Sequence, residues 1–157
     1  PILSKVSVGT DVLFTVKRSE KVIRLKGKQL ERPRQKEAGL KVVYDQVKVG
    51  DRRIRVIATH PEGPGPYPTV FVIGGIGAYS FDGNYDTVPY GNILSTLSKK
   101  YAIIRMEKPG QGDSEGPAYL DLMFDDELAA YVESVKLAKT LPFVNKDKIA
   151  IFGHSMG

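Results

Sequence analysis

The chain has 157 residues, of which 41% are hydrophobic and 26% charged, with a formal net charge of +5. That is enough apolar material for one packed domain with a small appendage. It contains no cysteine, which excludes a disulfide framework and a thiolate metal site, and no run of 18 apolar residues that would cross a membrane as a helix.

The charge is unevenly placed. Residues 1–41 hold 11 Lys/Arg against 4 Asp/Glu, and residues 42–157 hold 12 against 14. A basic segment is one footprint of a nucleic-acid surface. Phe14, however, is the only aromatic residue before position 42, so the stacking side chains that accompany such surfaces are missing. We read the asymmetry as a boundary between two parts, with neither a nucleic acid nor a membrane as partner. Pro1-Ile2-Leu3-Ser4-Lys5 is neither a signal peptide nor a start. A chain that opens this way and ends inside a motif is expected to be a piece of something longer.

In chain order, Asp11–Arg18 is β-rich, with Val12, Phe14 and Val16 on one face. Ser19-Glu20-Lys21 suits a hairpin turn, and Val22–Lys28 continues as a second strand. Residues 31–39 are polar with one proline and read as a linker. Lys41–Val49 and Arg52–Thr59 flank Gly50-Asp51, a second hairpin signal. His60–Pro68 holds four prolines and two glycines and reads as a loop, with His60 at the surface. Thr69–Ile73 is a continuous apolar run, as expected of a strand buried on both faces.

Tyr79–Pro89 is an aromatic loop rich in Asp and Asn. Tyr90–Lys100 carries Ile93, Leu94 and Leu97 at helical spacing. Tyr101–Met106 is another buried strand. Phe124–Thr140 is the clearest helix, with Asp125, Asp126 and Glu127 in its first turn and Leu128, Tyr131, Val135 and Ala138 as its expected inner stripe. Lys148–Phe152 is the last strand. Strands that alternate with helices after an antiparallel hairpin argue for an α/β domain: a mainly parallel sheet with an antiparallel edge.

Three glycine-rich stretches fall directly after strands, where an open parallel sheet places its site. They are Gly74-Gly75-Ile76-Gly77, Gly110-Gln111-Gly112-Asp113-Ser114, and Gly153-His154-Ser155-Met156-Gly157. The last is Gly-x-Ser-x-Gly after a strand, the pattern of a nucleophile elbow. Ser155 is the expected nucleophile, and the flanking Gly153 and Gly157 are expected because a Cβ there would collide with a neighbouring element. The N–H of Met156 is expected to face a developing oxyanion. His154 is expected to pack behind the elbow rather than act as base. Asp113 and Ser114 are expected to hold their turn. Asp82, Asp86, Asp125, Asp126 and Glu127 read as loop and helix-start residues. Two histidines and no cysteine leave no metal site, and the chemistry needs no cofactor.

These three motifs in this order resemble the α/β-hydrolase superfamily, near its serine peptidase and esterase branch, over residues 41–157. The resemblance implies the N-terminal half of an α/β-hydrolase sheet ending at the elbow. It implies an oxyanion hole made by the N–H groups of Ile76 and Met156. It also implies a triad acid and base beyond Gly157. The family has His-Gly-x in the first motif, where this chain has Gly74-Gly75-Ile76, so a less braced loop is expected. Val8-Gly9-Thr10-Asp11-Val12, Phe14–Arg18, Val22–Leu25 and Glu31-Arg32-Pro33 resemble the end of a PDZ domain. The expected organisation is therefore a PDZ-like end at 1–32, a linker at 33–40 and an incomplete hydrolase domain at 41–157. Its expected partners are a small acyl or peptide substrate and the remaining half of the domain, from the same protein or a nicked chain. PDZ-linked hydrolases of this look suggest an exported bacterial protein. The alternative is a non-catalytic peptide-binding or scaffold protein with a pseudo-hydrolase domain.

Overall fold

A computed structural model of the chain describes residues 7–31 and 33–157. The readings of residues 1–5 and of Arg32 lie outside the described residues. The chain divides into two compact units, Pro1–Arg34 and Gln35–Gly157.

The first unit is a two-stranded antiparallel hairpin, β1 (Asp11–Arg18) and β2 (Lys21–Lys28). Ser19 and Glu20 make the turn, both with positive φ (46° and 66°). Positive φ at both central positions matches the right-handed twist of the strands it joins. The register sets Phe14 opposite Leu25 and Val16 opposite Ile23.

The second unit is a five-stranded sheet: β3 (Leu40–Val49), β4 (Arg52–Pro61), β5 (Tyr67–Ile73), β6 (Ala102–Met106) and β7 (Val144–Gly153), in the order β3-β4-β6-β5-β7. β3 and β4 form the hairpin around Gly50-Asp51, and β4 runs antiparallel to β6. β5 runs parallel to both β6 and β7. The crossovers carry α1 (Gly91–Leu97) between β5 and β6, and α2 (Phe124–Ala138) between β6 and β7.

Alternation along the buried strands sorts side chains onto two faces. Phe71, Ile104 and Met106 join Ile54, Val56 and Ala58 under α2, where Ala130, Tyr131 and Ala138 pack. Val70, Val72 and Ile103 face the other way, against Leu94 of α1 and the loop residues Phe81 and Tyr85. Helices thus cover both faces, as the apolar run at 69–73 and the mostly apolar strand at 102–106 require.

Two expectations are corrected. α2 buries Glu127, Ala130, Tyr131, Ser134 and Ala138, whereas Leu128 is 47% exposed. Glu127 and Leu128 both fit the helical period. Glu127 faces inward because it meets a buried lysine, and Ala130 and Ser134 are small enough to let the helix approach the sheet. His60 is not at the surface: its ring stacks on Phe143 at 4.2 Å and Nδ1 meets Pro61 O at 2.8 Å, leaving it 6% exposed.

Candidate active site

β5, β6 and β7 run in one direction and end side by side, which brings the loops that follow them together. Ser155 sits two residues past β7 with φ 57°, a left-handed conformation that costs a serine of order 1–3 kcal/mol unless its surroundings hold it there. They do so through backbone hydrogen bonds: His154 N–H donates to Ile73 O (3.2 Å) and Gly157 N–H to His154 O (3.0 Å). The turn is tight enough that a Cβ on Gly153 would lie 2.2 Å from Gly157 O. One on Gly157 would lie 2.5 Å from Ile73 O.

The loop after β5 abuts the elbow. A Cβ on Gly75 would lie 2.8 Å from Ser155 Cβ and 3.1 Å from His154 O. Ile76 and Met156 are exposed beside it. Among the described residues neither their N–H groups nor the Ser155 hydroxyl has a hydrogen-bond partner. One strained hydroxyl and two uncommitted N–H donors therefore lie at one end of the sheet. His154 turns aside: its ring packs on Tyr90 at 4.9 Å, and Nδ1 and the Tyr90 hydroxyl are 2.8 Å apart.

The loop is braced, although Gly74 contributes no side chain. A Cβ on Gly74 would lie 2.4 Å from the Tyr79 hydroxyl, which donates to Gly75 O at 2.9 Å. Burial, then the neighbouring Tyr90 hydroxyl, push the ionisation of Tyr79 upward, so it remains a donor. Lys108 Nζ donates to the same oxygen at 2.6 Å and pairs with Glu127 at 2.9 Å. Further along, Arg105 donates to Phe81 O (3.0 Å) and to the Gln35 amide oxygen, and its guanidinium lies over the Tyr85 ring. Glu107 accepts from Phe81 N–H. Sequence reasoning gave no role to Lys108, Arg105, Glu107, Tyr79 or Gln35. The available signal was Arg105-x-Glu107-Lys108 at the end of a buried strand, where a charged side chain must find a partner.

The second motif, Gly110–Ser114, serves structure. Ser114 Oγ donates to Glu107 O (2.7 Å) and accepts from Arg55 N–H (2.9 Å), and Asp113 pairs with Arg55 at 3.0 Å. Asp82 accepts from the Tyr44 hydroxyl, and Asp126 pairs with Arg52. Among the described residues no group of acidic, His or Cys side chains is set to hold a metal ion.

Burial is the leading influence on Glu107 and raises its carboxyl above the ordinary range; among the described residues Oε2 meets no hydrogen-bond partner. A raised folded pKa means stability that is fully present below the ordinary carboxyl pKa and lost as pH rises through the folded value. Glu107→Gln should therefore gain stability relative to the native protein as pH rises from about 4.5 to 7.5. Urea unfolding of both proteins across that range checks this, and a pH-independent difference would contradict it.

No family model matches the sequence, and no curated protein matches it. Solved structures do. Est1E from Butyrivibrio proteoclasticus, with ferulic acid bound, aligns at TM-score 0.59 and 23% identity, over 72% of this chain and 43% of that one. The esterase Est22 aligns at 0.55 and 20%, over 74% and 35%. The 2,6-dihydroxy-pseudo-oxynicotine hydrolase aligns at 0.51 and 23%, over 74% and 30%. The chain thus spans less than half the length of each. Together with strand order and crossovers, these likenesses show that the chain carries a separate β-hairpin followed by part of the α/β-hydrolase fold.

Proposed function

We propose that the protein carrying this chain is a serine hydrolase that cleaves an ester or a peptide-like amide through an acyl-Ser155 intermediate. The observation that carries the reading is the strained Ser155, exposed in the tight turn that follows β7 and close against a glycine loop whose Ile76 N–H is uncommitted among the described residues. Ser155 Oγ attacks the acyl carbon, and its proton passes to a base. The charge that develops on the acyl oxygen is met by the N–H groups of Ile76 and Met156. The bond to the leaving group then breaks, the base returns the proton to it, and water releases the acyl group by the reverse route. The esterase Est22 supports the ester half of this reading by fold likeness.

On this reading the base and its orienting acid come from a further segment along the open edge of β7. Among the described residues β7 pairs with β5 alone, which leaves its other edge open, and Ile151 is 61% exposed. The test is ester hydrolysis by the full-length protein. Ser155→Ala is expected to lower kcat by at least about 10⁴-fold. Equal rates would overturn the assignment and favour a non-catalytic role for the domain.

A further inference from the structure

We propose that Lys108 is a positioning residue for acyl transfer at Ser155, acting through the Gly75–Ile76 peptide to aim and polarise the Ile76 N–H. The inference rests on the reading of Ser155 as nucleophile. The Gly75 carbonyl and the Ile76 N–H belong to one planar trans peptide unit, so they point in opposite directions. Fixing the oxygen fixes the direction of the donor. Here the oxygen is held twice, by Lys108 Nζ at 2.6 Å and by the Tyr79 hydroxyl at 2.9 Å. Two donors occupy both acceptor positions of a carbonyl.

Lys108 is placed for this by its burial. It is 1% exposed, and its ammonium meets Gly75 O, Glu127 Oε1 at 2.9 Å, and the Tyr79 ring with its centroid at 5.7 Å. A buried ammonium is costly unless paired, and Glu127 in the first turn of α2 supplies the pair. The ion pair therefore ties the end of β6 to α2 and aims the remaining proton donors at the loop. A charge-assisted bond to the carbonyl draws density away from the amide, and linked hydrogen bonds polarise one another. The Ile76 N–H becomes a stronger donor, and a positive charge lies one peptide away from where negative charge develops. The effect is larger on the tetrahedral state than on the bound ester, so it belongs to kcat rather than KM.

The test is made on the full-length protein with a p-nitrophenyl ester and with a trifluoromethyl ketone, whose carbonyl takes up Ser155 Oγ to form a tetrahedral oxyanion. Lys108→Met combined with Glu127→Gln removes the donor without leaving a buried carboxylate. It is expected to lower kcat by about 10- to 100-fold, with KM changed by less than about 3-fold. The ketone should bind more weakly by the same factor as kcat/KM falls. Tyr79→Phe removes the other donor from the same oxygen and keeps the ion pair. It is expected to lower kcat by about 3- to 10-fold, which tests the proposal if the double variant does not fold. A kcat within about 2-fold of native in a folded variant overturns the proposal, as does weaker KM alone. Ser155→Ala separates the levels: if it is inactive while the Lys108 variant is fully active, only this inference falls. If it is as active as native, the nucleophile reading falls and takes this inference with it.

Discussion

Replacing Gly91 with alanine is expected to destabilise the protein by about 3 kcal/mol, lowering Tm by about 6–12 °C. Two effects oppose each other. Gly91 is the first residue of α1, and alanine in a helix is favoured over glycine by about 1 kcal/mol. The added Cβ, however, would lie 1.6 Å from Tyr85 O and 2.6 Å from Tyr85 C. Both are backbone atoms, so no rotamer change relieves the clash. Tyr85 is itself buried against Val70, Leu94 and Ile103, and its hydroxyl shares a hydrogen bond with Thr59. The loop and helix must separate, and sterics outweigh propensity. Thermal unfolding followed by circular dichroism checks this; a Tm unchanged within about 2 °C would contradict it.

Replacing Gly75 with alanine is expected to lower kcat/KM by about 100-fold while sparing stability far more than Gly91→Ala does. Gly75 has no positive φ, so alanine is allowed by the backbone. Its Cβ would lie 2.8 Å from Ser155 Cβ and 3.1 Å from His154 O. The loop and the elbow must part by a few tenths of an ångström or more, and in the proposed mechanism the loop carries the Ile76 N–H donor. Misplacement of reacting groups on this scale costs about 10²-fold. Steady-state ester hydrolysis with parallel thermal melts checks the expectation. A normal kcat/KM would mean that the loop after β5 plays no part in the chemistry.

Much of the second unit was readable in the sequence because its signals are local. Thr69–Ile73 is a short apolar run bounded by Pro68 and Gly74, Tyr101–Met106 is a mostly apolar run bounded by charged residues, and both lie in buried strands. The Gly50-Asp51 pair fixed the β3–β4 hairpin, and the strand–helix alternation gave a parallel sheet with an antiparallel edge. The inner face of α2 was readable at Tyr131, Val135 and Ala138 but not in its first turn, because periodicity cannot separate Glu127 from Leu128. The choice is made by Lys108, 19 positions upstream, whose ammonium needs a partner. The brace on the loop after β5 was hidden for the same reason. Lys108 reaches Gly75 across 33 residues, and Arg105 reaches Gln35 across 70. Gln35 lies in a polar, proline-containing run with no period at all. Long charged side chains that turn inward leave no pattern in a sequence, only an unusual charge at the end of a buried strand.

The electrostatics separate into exposed and buried groups with different consequences. Arg53 beside Glu115 holds that exposed carboxyl down to about 2, yet solvent screens the pair and little stability rests on it. The buried Lys108–Glu127 pair and the Glu107 carboxyl lie in water-excluded surroundings, where removing one partner is costly. These groups sit directly behind the loop that abuts Ser155.

The measurement that tests the central claim most directly is the mass of the full-length protein before and after treatment with a fluorophosphonate, followed by peptide mapping. The nucleophile reading predicts gain of a single phosphonyl adduct on the peptide containing Ser155, absent in Ser155→Ala. No adduct on a folded full-length protein, or an adduct on another residue that persists in Ser155→Ala, would contradict it.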